Sequence, residues 1–168
     1  MVYNVYTDGS YKEFPGIGGL ISSAATIQEE GSDKPTEMKK VTDEPEYLKM
    51  RNVGGEIIAV VMAMEHCLNV LHVTQDDKIV LHYDYVGVHN WLKKKGEKDF
   101  WKANKTVTQA YRVYMNTLVR TRCQMEFVHT PGHSGIPGNE YVDKLARSAF
   151  DDYVSNLGSN GGPNTVNV

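Results

Sequence analysis

Four acidic residues occupy positions from which they could share a cation: Asp8, Glu56, Asp84 and Asp143. Asp8 follows the strand-like run Val2–Thr7, and Asp84 follows a second such run, Lys78–Tyr83. If those strands are parallel neighbours, their ends project both carboxylates to one edge of a sheet, the edge where open α/β sheets place ligands. Glu56 falls in the first turn of a predicted helix, off its main apolar stripe, and Asp143 in the first turns of the last predicted helix. Converging carboxylates repel one another and raise each other's pKa unless a cation fills the space between them. Oxygen ligands suit Mg²⁺ or Mn²⁺ better than zinc. Two such ions about 4 Å apart can activate a water and stabilise a leaving oxygen in phosphodiester cleavage. Taken singly, each acid also fits a plainer role, as a turn or cap residue or as a charge favoured by the helix dipole.

The elements that must position these acids can be read from periodicity. Val2–Thr7 is rich in β-branched and aromatic residues and reads as a strand, with Tyr11–Gly16 as the turn that follows it. Ile17–Ile27 reads as a second strand and Met38–Thr42 as a short third one. From Asn52 the pattern becomes helical, with Ile57, Val61, Met64, Leu68 and Leu71 on one stripe. Lys78–Tyr83 and Gln124–His129 read as strands, Val86–Leu92 and Asn104–Arg120 as helices. A loop over Thr130–Gly138 leads to a last helix starting near Asn139 and running to about Tyr153. The order β-β-β-α-β-α-α-β-α is a mixed α/β domain over residues 1–153, with a Gly-, Asn- and Ser-rich tail, 154–168, expected to be disordered.

Composition limits the function classes. At 168 residues, 40% hydrophobic and 23% charged, the chain suits one soluble domain. It contains no apolar run of membrane-spanning length and no signal-peptide pattern, so a cytoplasmic protein is expected. Cys67 and Cys123 are far apart in sequence and lack a Cys/His cluster, so they read as buried free thiols. The net charge of −3 disfavours a nucleic-acid binder, but its distribution does not. Nine basic residues and only two acids lie between Lys93 and Arg122. Such a local positive field can follow a phosphate backbone.

Motif order then adds a family. Tyr6-Thr7-Asp8-Gly9-Ser10 resembles the first-strand motif of type 1 ribonuclease H, and Asn52-Val53-Gly54-Gly55-Glu56 its Asn-x-x-x-Glu helix start. Leu81-His82-Tyr83-Asp84 is similar to its fourth strand. His129-Thr130-Pro131-Gly132-His133-Ser134-Gly135, followed by Asn139-Glu140-x-x-Asp143-x-Leu145-Ala146, resembles its C-terminal signature. The resemblance implies an RNase H-like fold, a five-stranded mixed sheet flanked by helices. It implies hydrolysis of the RNA strand of an RNA–DNA hybrid, leaving 5′-phosphate and 3′-hydroxyl ends. It makes Asp8, Glu56, Asp84 and Asp143 ligands of two Mg²⁺ ions, with Mn²⁺ as a substitute, and His133 the loop histidine that assists turnover. Glu140 is a secondary candidate for an accessory acid, whereas His129 is expected to pack at a strand end.

Substrate contacts follow from chemistry. Backbone groups at Gly9 and Ser10 and the Asn52 amide could reach the 2′-hydroxyl that distinguishes RNA. Trp91, Lys93, Lys94, Lys95 and Trp101 interleave rings with cations and are expected to carry the DNA strand, although core tryptophans beside solvated lysines would give the same pattern. Phe14 before Pro15-Gly16, and Tyr85-Val86 after Asp84, depart from the family's polar residues at those places, so the base contacts expected there are replaced or absent. No obligate protein partner is evident, and a monomer is expected. Two alternatives remain: a related nuclease acting on DNA, which the Asp-Gly-Ser turn and Gly-His-Ser-Gly loop disfavour, and a non-catalytic binding domain, which should have lost a carboxylate.

Overall fold

The computed structural model describes residues 1–94, 96–98, 109–132, 134–160 and 166–167. Its elements are β1 (Val2–Phe14), β2 (Gly18–Glu29), β3 (Thr36–Thr42), α1 (Pro45–Leu48), α2 (Asn52–Asn69), β4 (Lys78–Tyr83), α3 (Gly87–Asn90), α4 (Gln109–Arg120), β5 (Gln124–His129), α5 (Pro137–Asn160) and β6 (Val166–Asn167). The main strands form a five-stranded mixed sheet in the order β5-β4-β1-β2-β3, with the two-residue β6 added at the β3 edge. β1, β2 and β3 are an antiparallel meander, while β4 lies parallel to both β1 and β5.

Alternation along β1 explains which face each residue takes. Tyr3, Val5 and Thr7 are buried. Tyr3 and Val5 join Ile79, Leu81, Ile57, Val60, Met64, Tyr114 and Leu118 in the main core, beneath α2 and α4. The opposite face is covered by α5, where Ala24 packs on Val142 and Ala146, and Leu20 and Val41 pack on Ala149, Phe150 and Tyr153.

Three departures from the sequence reading matter for the site. β1 does not stop at Thr7. Its parallel pairing with β4 ends at Tyr6↔His82, but its antiparallel ladder with β2 continues through Asp8↔Ala24 to Phe14↔Gly18. Asp8 is therefore inside a strand that has lost one neighbour, and the turn is confined to Pro15–Ile17, with Gly16 at φ 77°. The buried face of α2 is also rotated. Val60, Ala63 and Cys67 are buried while Val61 is only partly so, and Glu56 shares the spacing of the buried set. The last helix begins at Pro137, a residue suited to a first helical position, and runs past Tyr153 to Asn160.

Candidate active site

Two glycines bring the first two acids together. The amino end of α2 sits directly on β1, because Gly9 and Gly55 have no side chains between them. A Cβ on Gly9 would lie 2.7 Å from Gly55 Cα, and one on Gly55 would lie 2.8 Å from the Ser22 carbonyl oxygen. The Ser23 hydroxyl secures the approach by donating to the Gly55 carbonyl at 2.8 Å. Only backbone can occupy such a gap. The glycines that weaken the start of α2 by propensity are thus the residues that allow Glu56 to reach Asp8.

Asp84 is fixed from the other side. It follows β4, and its Oδ1 accepts from the Gly132 amide at 2.9 Å. The His129 ring nitrogen Nε2 lies 2.7 Å from the Asp84 carbonyl oxygen, as expected for a histidine packed at a strand end. The Tyr6 ring stacks on His82 at 4.1 Å, and a Cβ on Gly138 would come within 2.5 Å of the ring. Tyr6 therefore forms the pedestal on which the start of α5 rests, and with it the height of Asn139, Glu140 and Asp143 above the sheet.

The resulting arrangement is an open cleft with about 200 Å³ of space for solvent. It is lined by Asp8, Gly9, Ser10, Asn52, Glu56, Asp84, Gly132, Asn139, Glu140, Asp143 and Arg147. Asp8, Glu56 and Asp84 each offer an oxygen, all three within 4.8 Å of one another. Asp143 enters the same cleft, but its Oδ2 pairs with Arg147 at 3.0 Å. Glu56 is only 4% exposed, and its Oε2 has no hydrogen-bond partner among the described residues. A buried carboxylate oxygen without a partner is costly. An all-oxygen set around it fits a hard divalent cation.

Electrostatics point the same way. Burial, with opposition from Asp143, pushes Asp8 up to about 6, although its contacts with Glu56 and the Gly9 amide pull it down. Burial, and then the charge of Asp8, drive Glu56 well above the usual carboxylate range. The sign of the resulting stability effect is fixed. A folded-state pKa near 6 against an ordinary 3.8 means that the folded protein holds a proton that the unfolded chain has lost. Stability conferred below pH 4 is therefore lost as pH rises through 6 in the absence of a cation. Asp8→Asn removes this burden, and its amide oxygen can still accept from Gly9, as Asp8 Oδ1 does at 2.9 Å. Without divalent ions at pH 7.5, the variant is expected to melt roughly 3–8 °C higher than the parent, about 1–3 kcal/mol. The difference should close near pH 4. Thermal melts in chelator across that range check it, and an unchanged or lower melting temperature at pH 7.5 would contradict the electrostatic account.

The residues singled out from sequence now divide. Asp8, Gly9, Ser10, Asn52, Glu56, Asp84, Glu140 and Asp143 all line one cleft. Trp91 must be corrected. It is 3% exposed, with Tyr111 and Tyr114 each 5.6 Å away by ring centre and Tyr85 at 6.3 Å, so it is a core ring and presents no face to a nucleotide. The short helix α3 turns it inward under α4, a tertiary effect that a local Trp-Leu-Lys-Lys pattern does not reveal. Lys94 is exposed and Lys93 half-buried, whereas Lys95, Trp101 and His133 lie outside the described residues. The sequence assigns no role to Gly55, Gly132 or Arg147, although both glycines fall within the motifs and Arg147 has an i,i+4 spacing from Asp143. Asn139, near which the sequence starts the last helix, is a buried residue inside its first turn. Both cysteines are free and buried, and no described helix is long and apolar enough to cross a membrane.

Comparison with known proteins adds an independent line. The RNase H family model matches residues 1–151. A ribonuclease H of Nitrosospira multiformis is 28% identical over 165 residues, covering 95% of this chain and 96% of that protein. One from Escherichia coli is 30% identical over 149 residues, covering 86% of each. Among solved structures, a type 1 RNase H with the type 2 active-site motif aligns at TM-score 0.57 and 18% identity over 90% of this chain and 72% of that one. The prototype foamy virus protease-reverse transcriptase aligns at TM-score 0.62 and 18% identity, over 87% of this chain and 20% of that one. These two likenesses concern the fold.

Proposed function

The chain belongs to the RNase H family, and on that premise we propose that it hydrolyses the RNA strand of RNA–DNA hybrids in the cleft formed by Asp8, Glu56, Asp84 and Asp143. The observation that carries this reading is the meeting of three carboxylates around the unpartnered, buried Glu56 Oε2. The four acids are assigned as holders of two Mg²⁺ ions, which when bound supply water activation and charge stabilisation for in-line displacement at phosphorus. The remaining work falls to the protein. Glu56, fixed by burial, sets the depth of the site, and the Gly132 amide orients Asp84 by donating to its Oδ1. Gly9, Ser10 and Asn52, which line the cleft, are assigned to recognition of the 2′-hydroxyl beside the scissile phosphate. His133 is assigned to proton transfer or product release. Water attack at phosphorus with departure of the 3′ oxygen gives 5′-phosphate and 3′-hydroxyl ends.

The test is cleavage of an end-labelled RNA–DNA hybrid beside single-stranded RNA, duplex RNA and duplex DNA, each with Mg²⁺, Mn²⁺ or chelator. Hybrid-only, metal-dependent cleavage of the RNA strand is expected. Cleavage of duplex DNA, or of no substrate at all, would overturn the reading. The DNA strand is assigned to the basic segment that begins at Lys93. Changing Lys93, Lys94 and Lys95 together to Ser should weaken hybrid binding and lower the slope of log K against log salt by about 1–3, roughly 0.9 for each phosphate that is no longer neutralised. An unchanged slope in an equilibrium titration would mean that the run only faces solvent.

A further inference from the structure

Asp143 differs from the other three acids in one respect. Oxygens of Asp8, Glu56 and Asp84 come within 4.8 Å of one another, and Asp143 adjoins this group through Asp8. Its Oδ2 also lies 3.0 Å from an Arg147 guanidinium nitrogen one helical turn along α5. Among the described residues, Arg147 is the only basic one lining the cleft, and it is mostly exposed, at 63%. Its head can thus swing into water with little change in packing, while Asp143 lines the cleft and is the less exposed partner.

We propose that Arg147 is a charge latch, occupying an Asp143 oxygen that a second divalent ion must take over. The proposal rests on the assignment of the four acids as a cation site. The physics is competitive. One ion can be satisfied by Asp8, Glu56 and Asp84 alone, without breaking the pair. A second ion on the Asp143 side must both take the carboxylate from the guanidinium and enter beside a positive charge. Both effects weaken the second binding step and leave the first nearly untouched. Arg147 acts through Asp143 and is therefore a positioning residue. The latch makes occupancy of the second position depend on divalent-ion concentration. An ordinary helix-surface pair at this spacing would change helix stability slightly and leave ion binding alone.

Direct Mn²⁺ titration of the full chain without nucleic acid separates the two, with free Mn²⁺ read by its electron spin resonance signal. In the parent protein, one ion should bind well and a second more weakly. Arg147→Gln should tighten the second step about five- to tenfold, the scale of one nearby charge at the rim of a solvated cleft, and move the first less than about twofold. Arg147→Lys, which keeps the charge, should stay near the parent. Lys144→Gln removes the same charge from an exposed position on the same helix and should change neither step. Titrations of Arg147→Gln that superimpose on the parent, or equal tightening by Lys144→Gln, would overturn the latch. A parent protein that binds no Mn²⁺ would overturn the cation site itself, so the two failures are distinguishable.

Discussion

Asp84→Asn is expected to lower Mg²⁺-dependent hybrid cleavage at least a thousandfold while leaving the fold intact. A reduction of that size corresponds to about 4 kcal/mol of transition-state stabilisation. The substitution removes one negative charge from a set of three oxygens held within 4.8 Å of one another. A neutral amide is a poor ligand for a hard cation. The fold should survive because the structural duty of Asp84 is to accept the Gly132 amide at 2.9 Å, which an asparagine carbonyl oxygen can also do. The measurements are single-turnover cleavage of a labelled hybrid and thermal melting. Full activity in Asp84→Asn would remove this residue from the chemistry. A collapsed melting temperature would show that its role is architectural.

The second large effect concerns a residue with no functional group. Gly9→Ala adds one methyl group where its carbon would overlap the backbone of Gly55 and Glu56, lying 2.7 Å from Gly55 Cα. Backbone cannot rotate away as a side chain can, so α2 must lift from β1. Overpacking of this kind costs about 1–3 kcal/mol or more, which is roughly 3–10 °C in melting temperature for a chain of this size. The fall in activity should exceed what instability explains. Lifting the first turn of α2 by an ångström moves Glu56 out of register with Asp8 and Asp84, and displacement on that scale costs about a hundredfold. Cleavage measured well below the variant's melting temperature isolates this effect. Activity within a few-fold of the parent there would mean that the close approach does not position Glu56.

Much of this arrangement was legible in the sequence, and the misses share a cause. The bounds of β4 and β5 agree with the reading because each is a short apolar run that ends at a polar or turn residue. Strand-end and helix-start positions put Asp8, Glu56 and Asp84 near the right elements and Asp143 in the early turns of the last helix, before motif order is considered. The sequence puts Asp8 just beyond a strand, because Asp-Gly-Ser has turn chemistry locally, whereas a long antiparallel partner keeps it in the sheet. Periodicity puts Glu56 off the main apolar stripe of α2, because it does not reveal that Glu56 shares the spacing of Val60, Ala63 and Cys67, all buried. Trp91 differs from its expected surface position for the converse reason. Lysines beside a ring suggest a surface, yet the ring is enclosed by tyrosines from α4 and from the segment after β4. In each case the deciding contact is made by a residue distant in sequence.

The parallel ladders have a kinetic consequence. Val2 is paired with Lys78, and Lys78 with Gln124, so the three strands that frame the acids are joined only after long stretches of chain have closed on themselves. Closures of that length come late in folding. Until then Asp8 and Asp84 are on strands that have not met, their mutual repulsion does not exist, and the chain offers no preformed place for a cation. The repulsion arises together with the finished sheet. A divalent ion bound between the acids would therefore act on the completed molecule, slowing unfolding while leaving the rate of folding nearly unchanged.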